Sequence, residues 1–150
     1  MEGLVGLPVA IYGPKWRRNN LRNPGVMKMI RGRGVWGPDL GRLYNRSGIV
    51  LNISSWDTTA QSGLNLRVLD VIACGSFLLT DSSEDLAGWV VPGEEVETYR
   101  TVEELREKIA YYLKNEAARA AIARRGWEKS RRLETYVVKM KNLLALAGYS

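Results

Sequence analysis

The chain contains no histidine and only one cysteine among its 150 residues. Without histidine, catalysis by a Ser-His-Asp triad, histidine metal sites and imidazole acid–base chemistry are excluded. A single cysteine forms no intrachain disulfide and no cysteine metal cluster, which fits a reducing compartment, and we expect a cytoplasmic protein. No apolar run is long enough to span a bilayer and no basic region follows Met1, so neither a membrane span nor a signal peptide is expected.

Positive charge is concentrated in the N-terminal quarter of the chain, although the formal net charge is only +6. Residues 1–38 contain seven basic residues and one acid, Glu2, whereas residues 39–150 contain fifteen of each sign. An uneven distribution of this kind indicates an anionic partner at one surface. A solvated, partly flexible basic loop explains the same pattern, and composition leaves the two readings open.

Strand and helix patterns alternate along the sequence. Apolar runs predict strands at 7–12, 48–53 and 76–80, with weaker candidates at 35–36 and 95–99, and turn-forming residues predict a long loop with one helical turn over 15–32. Helices are predicted at 38–46 and 64–75, as a short helix that residues 82–85 cap and that runs through Ala87, from 101, over 116–131 and from 133 or 134 onward. Such alternation indicates one α/β domain, residues 1–150, with a parallel sheet that binds ligands outside the carboxyl ends of its strands. Asn52 lies at one such strand end.

The predicted helix 64–75 follows a glycine-containing turn, and a helix N-terminus is suited to binding an anion. Its apolar residues surround almost the whole helix, which predicts burial on most sides. Gly63, Arg67, Asp70 and Cys74 share the remaining stripe. Either Asp70 binds ribose hydroxyls while Arg67 contacts a phosphate or braces the site, or the two form a solvent-facing ion pair. The spacing alone slightly favours the ion pair.

Several segments, in order, resemble GT-B glycosyltransferases, most closely the glycosyl transferases group 1 type that includes the spore-maturation CgeB-like proteins. The resemblance spans roughly residues 8–145. It is carried by the segments 43–52 (LYNRSGIVLN), 63–70 (GLNLRVLD), 73–75 (ACG), 78–81 (LLTD) and 111–115 (YYLKN).

The resemblance implies a Rossmann-like three-layer parallel sheet that forms one GT-B half-domain, the C-terminal one, and we expect the first strand of that half-domain to be lacking. This half binds a nucleotide-diphospho-sugar donor and needs no other cofactor or metal. Such families often carry two acids separated by seven residues. Asp70 matches the second acid, which contacts the ribose, but Ser62 stands where the first, sugar-contacting acid is usual. This departure puts the donor-sugar contact and catalysis in question.

The resemblance also implies further contacts with the donor. The turn formed by Gly63, Leu64 and Asn65 would face the diphosphate, and Lys15 and Arg17 are candidates for stabilising the charge of the leaving group. The N-terminal GT-B domain, which carries most of the acceptor site, is missing from this chain, which suggests a fragment of a larger protein. The exposed half-cleft would favour a homodimer.

Three functions compete on these grounds. The first is a glycosyltransferase donor-binding domain, of the hexosyltransferase class, and the second is a non-catalytic nucleotide- or protein-binding module derived from that fold. Loss of the first acid and of the partner domain favours the second. A nucleic-acid binder, suggested by the basic segment 15–33 with Trp16 and Trp36, ranks last because no recognition helix or stacking motif supports it.

Overall fold

The computed structural model describes residues 2–14, 16–19, 22–53, 65–133 and 135–148. It contains the strands β1 (Ile11–Tyr12), β2 (Ile30–Gly32), β3 (Val50–Asn52), β4 (Leu78–Asp81) and β5 (Glu97–Tyr99). β1 pairs with β2, and β3, β4 and β5 form a second sheet in that order. Every strand pair is parallel, which confirms the predicted α/β class.

Helices connect and cover these strands. A 3-10 turn (Glu2–Leu4) precedes β1, and the helices are α1 (Trp16–Asn19), α2 (Pro24–Met29), α3 (Pro38–Arg46), α4 (Leu66–Ala73), α5 (Glu84–Ala87), α6 (Val102–Lys114), α7 (Glu116–Ser130) and α8 (Tyr136–Leu146). Among the described residues, no helix is long and apolar enough to cross a membrane.

The predicted three-layer arrangement is visible in β4, whose successive side chains enter different apolar clusters. Leu79 packs in a cluster to which α2, α6 and α7 contribute. Leu78 packs in a second cluster with side chains of α3, α4 and α5. Because neighbouring residues of a strand point to opposite faces, helices cover the β3–β4–β5 sheet on both sides.

The N-terminal third differs from the sequence-based expectation. The strand predicted at 35–36 is wrong, and Trp36 is instead 69% exposed. The segment predicted as a long loop with one helical turn contains two helices, α1 and α2, and the strand β2. Asn23 begins α2 by accepting a hydrogen bond from the Val26 amide (3.1 Å), and Pro24 occupies the first turn. The turn-forming residues therefore start a helix here, since asparagine caps and proline fits a first turn.

The helix predicted at 64–75 is observed as α4, but its predicted burial on most sides is wrong. Val68, Val71 and Ile72 are fully buried, whereas Leu66 is 63% exposed. The helix packs on the sheet with one face and against α7 with another, so its remaining face meets solvent. It ends in the predicted small-residue corner, where Gly75 adopts a positive φ of 69°. This glycine satisfies the last carbonyls of the helix in a Schellman arrangement.

Candidate functional site

Asn52 is a fully buried amide at the carboxyl end of β3. Its Nδ2 donates to Thr80 Oγ1 on the neighbouring strand (3.0 Å), and its backbone carbonyl accepts a hydrogen bond from the Tyr99 hydroxyl on β5 (3.0 Å). The three strands are therefore joined by polar groups at this edge. In parallel α/β sheets ligands bind outside this edge, so the position marks a candidate site.

Asn65 connects this buried amide to the start of α4. Its side-chain oxygen accepts a hydrogen bond from the Arg67 amide (3.0 Å), as an N-cap does. Its Nδ2 donates to Asn52 Oδ1 (2.9 Å). The N-terminus of α4 is thus fixed against the end of β3, with its helix dipole directed toward this edge.

Arg67 joins the same network. Its Nη1 donates to Asn52 Oδ1 at 2.8 Å, whereas no ion pair joins Arg67 to Asp70 in the part of the chain that the structure describes. The solvent-facing ion pair that the spacing slightly favoured is therefore not formed. A hydrogen bond from a charged donor contributes more stability when its acceptor is a buried amide oxygen than when it is an exposed carboxylate, because water already solvates the carboxylate.

Asp70 lies one turn into α4 and is exposed. Within the described ranges, no hydrogen bond or ion pair of its carboxylate is formed. Its negative charge affects the pKa of two neighbouring side chains, Tyr44 and Cys74. Burial raises the pKa of the Tyr44 hydroxyl, an effect that Arg67 opposes and Asp70 reinforces. Burial and Asp70 also raise the pKa of the Cys74 thiol, which disfavours a nucleophilic thiolate. Asp70 therefore presents an acceptor to solvent beside a buried tyrosine.

The ends of β4 and β5 complete the edge. Thr80, fully buried, donates to the Asp81 carboxylate (3.1 Å). Burial, with Asp81 as a second cause, strongly raises the pKa of Tyr99 and keeps its hydroxyl protonated as a donor. Sequence reasoning missed Thr80 and Tyr99 as members of this network. For Thr80 the signal was available, since a polar residue ends an apolar strand in the same way as Asn52.

Five predicted site residues remain. Ser62, Gly63, Leu64 and Lys15 lie outside the described residues. Arg17 is exposed on α1, which follows the end of β1, and no hydrogen bond or ion pair in the described part links it to α4. The structure thus brings Asn65 and Arg67 together with Asn52 and places Asp70 one turn further along α4, and no contact among the described residues joins Arg17 to them.

A groove of about 550 Å³ lies away from this edge, between the segment 5–10 and α2, with Lys28 and Arg31 among its lining residues. It borders the beginnings of β1 and β2 rather than the ends of β3 and β4. No cluster of three or more acidic or cysteine side chains suited to a metal ion occurs among the residues that the structure describes.

Comparison with known proteins identifies the family. Residues 1–145 match the family described as "Glycosyl transferase-like". The chain belongs to this family. Part of it is 34% identical, over 74 residues, to a protein of Aquifex aeolicus (strain VF5) described as uncharacterized, and this match covers 48% of the chain and 18% of that protein.

The fold of this glycosyl transferase-like chain is similar to that of sucrose-phosphate synthase from Thermosynechococcus elongatus. The TM-score is 0.68 at 16% sequence identity, over 87% of this chain and 33% of the synthase. The predicted GT-B glycosyltransferase resemblance and Rossmann-like class are thereby confirmed at the level of family and fold. The chain spans only about a third of the synthase and less than a fifth of the Aquifex protein.

Proposed function

We propose that this glycosyl transferase-like chain binds a nucleotide-diphospho-sugar donor at the carboxyl edge of β3 and β4. In this proposal the Asp70 carboxylate accepts hydrogen bonds from the ribose hydroxyls. The segment that enters α4, including Gly63 and Leu64, faces the diphosphate. Transfer to an acceptor requires a second domain that carries the acceptor site.

One observation carries the proposal: Arg67 is bound to Asn52 instead of Asp70, at 2.8 Å. A carboxylate already held by an arginine would have to lose that partner before it could accept a ribose hydroxyl. The Asp70 carboxylate is instead exposed one turn above the N-terminus of α4. A helix N-terminus attracts phosphate and an acid further along the fold attracts ribose, so the two groups suit the two ends of a nucleotide diphosphate.

The Asn65 side chain also supports this arrangement. Because it caps α4 and contacts Asn52, the helix start is held before any ligand arrives. A helix start that is ordered before binding loses less conformational entropy when the ligand binds. Lys15 and Arg17 follow β1 and remain candidates for stabilising the negative charge that develops on the leaving diphosphate. Such stabilisation requires a cation near that group.

A second candidate function is a non-catalytic nucleotide- or protein-binding module. The observation that favours it is Ser62, which replaces the acid expected to contact the transferred sugar. Donor hydrolysis or sugar transfer by this chain, alone or with an added acceptor domain, would rule out this candidate.

The donor-binding proposal is tested by isothermal titration and thermal shift with UDP, GDP and ADP and with their sugar conjugates. The variant is Asp70→Asn, and the matched control is Glu107→Gln, an exposed acid on α6. Loss of hydrogen bonds to a charged acceptor predicts about a tenfold to hundredfold weaker affinity for Asp70→Asn. The control should bind normally.

Two results would contradict the proposal. One is the absence of any binding by saturating concentrations of all these nucleotides. The other is equal nucleotide affinity in the native chain and in Asp70→Asn. A deoxyribose nucleotide gives a further check, because it should bind the native chain more weakly and lose little more in the variant.

A further inference from the structure

Tyr44 is a buried tyrosine that packs beside α4. It lies in α3, is 8% exposed, and shares an apolar cluster with buried side chains of α4. A Cβ at Gly41, three residues earlier on the same face of α3, would lie 3.6 Å from Cys74 Sγ. The face of α3 that carries Gly41 and Tyr44 is therefore packed against the stripe of α4 to which Arg67 and Cys74 belong.

The hydroxyl of Tyr44 meets the guanidinium of Arg67. Burial raises the pKa of Tyr44, and Arg67 opposes this shift both by its charge and by a hydrogen bond to the tyrosine side chain. Because the net shift of the pKa is upward, the hydroxyl is protonated at neutral pH, and the lone pairs of its oxygen accept the guanidinium N–H. Tyr44 is thus a neutral acceptor for Arg67 between α3 and α4.

Arg67 is held from two sides. Its Nη1 donates to Asn52 Oδ1 at 2.8 Å at the end of β3, and the Tyr44 hydroxyl contacts the same guanidinium from α3. A guanidinium is a planar fork of five N–H donors, so two acceptors on different elements fix the orientation of its plane as well as its position. With one acceptor alone, the plane would turn about that single bond.

Asp70 is the competing partner of an Arg67 side chain that is free to turn. The two residues stand three apart on α4, at the spacing of a helix-surface ion pair, but no such pair is formed among the residues that the structure describes. An ion pair would occupy both the cation and the carboxylate of the proposed donor site. Two acceptors that hold Arg67 elsewhere leave both charges available to a ligand.

We propose that Tyr44 is a positioning residue for the donor, which orients Arg67 toward the diphosphate and keeps it away from Asp70. Tyr44 touches no ligand in this proposal and acts only through Arg67. The inference rests on the proposed function, because it gives Tyr44 a task in donor binding. A tyrosine that only fills the core would change stability alone, whereas a positioning tyrosine changes nucleotide affinity through Arg67.

The test combines a double-mutant cycle with spectra of the ligand-free chain. Tyr44→Phe removes the hydroxyl but keeps the buried ring, and Arg67→Gln removes the cation. Tyr111→Phe is the matched control, since Tyr111 is an exposed tyrosine on α6. Isothermal titration with UDP, GDP and ADP measures the affinity of the native chain, the single variants and the double variant. Nitrogen NMR of the guanidinium groups reports rotation of the Arg67 side chain, and circular dichroism checks folding.

Tyr44→Phe should weaken the binding of a nucleoside diphosphate about threefold to tenfold, because Arg67 loses one of its two acceptors. It should add little to the loss caused by Arg67→Gln, since both changes act on the same guanidinium. The two Nη signals of Arg67 should be separate in the native chain and in Tyr111→Phe but merge in Tyr44→Phe. Unchanged guanidinium signals in Tyr44→Phe, or an equal loss of affinity with and without Arg67, would overturn the proposal.

The same measurements separate this proposal from donor binding itself. If none of the nucleotides binds the native chain, donor binding is refuted and the phosphate role of Tyr44 with it, while the guanidinium signals still decide whether Tyr44 holds Arg67. If nucleotides bind and Asp70→Asn weakens them but Tyr44→Phe does not, only the role of Tyr44 is refuted.

Discussion

Replacement of Asn52 by alanine should destabilise the domain and loosen the candidate site at the same time. The side chain is fully buried and makes hydrogen bonds to Thr80, Asn65 and Arg67 at 3.0, 2.9 and 2.8 Å. Asn52→Ala removes all three bonds and leaves a small void, but it keeps the backbone contact with Tyr99.

The expected loss of unfolding free energy is about 3.5 to 4 kcal/mol. The two neutral hydrogen bonds contribute about 1 kcal/mol each, and the bond from the guanidinium about 1.5 kcal/mol, at the low end for a charged donor because exposed Arg67 regains water. The void adds the remainder. Thr80 keeps its bond to Asp81, so its buried hydroxyl is not left without a partner. Since domains of this size are stable by about 5 to 15 kcal/mol, the variant should still fold.

Urea unfolding followed by tryptophan fluorescence measures this loss. With a dependence of about 2 kcal/mol per molar urea, the midpoint should fall by about 1.5 to 2 M. Asn45→Ala is the control, because exposed Asn45 accepts a single hydrogen bond from Ser76 Oγ (2.7 Å), and its midpoint should fall by about 0.5 M. A loss below about 1 kcal/mol for Asn52→Ala, or equal losses for the two variants, would refute the assignment of Asn52 as the centre of this network.

Further variants test the packing and the pH dependence. Gly126→Ala should cost about 2 kcal/mol in urea unfolding, because a Cβ there would meet the Glu95 carbonyl oxygen, while an alanine at exposed Gly48 should cost little. Thr101→Ala should cost about 1 kcal/mol and Thr101→Ser almost nothing, since the hydroxyl caps α6 at 3.1 Å; equal losses would argue against the cap. Burial strongly raises the pKa of Tyr99, so its contribution to stability is complete below about pH 10 and declines as the pH rises above it. Thermal melts from pH 8 to 11 should therefore decline less steeply in Tyr99→Phe than in the native chain, and equal slopes would contradict this.

The sequence predicts the outline of the fold well because its signals are local. Pro38 at a first turn and the aliphatic runs of β3 and β4 identify α3 and both strands, and α3 is observed with the predicted bounds. The positive φ of Gly75 explains why a small residue ends α4. The strand β2 was missed because its signal is not local. Ile30 is buried by packing with distant residues, so no local pattern distinguishes its three-residue strand from a loop.

The candidate site was harder to predict, because its decisive contacts join residues that are distant in the sequence. Asp70 and Arg67 stand three residues apart, and at that spacing an ion pair on a helix surface is the default expectation. Asn52, fifteen residues before Arg67, competes for the same guanidinium. Only the register of β3 beside β4, and the fixation of α4 by Asn65, bring that competitor within reach.

The contact between Arg67 and Asn52 also bears on the choice between bracing the site and binding a phosphate. A guanidinium carries five N–H donors in a fixed plane, and one of them is used by Asn52. Arg67 is exposed and lies in the first turn of α4. The bond to Asn52 holds the plane of the guanidinium, and an oriented cation loses less entropy when it binds an anion than a freely moving one does. In the proposed function, a braced Arg67 would also contact a donor phosphate, so the two roles that the sequence left as alternatives are compatible.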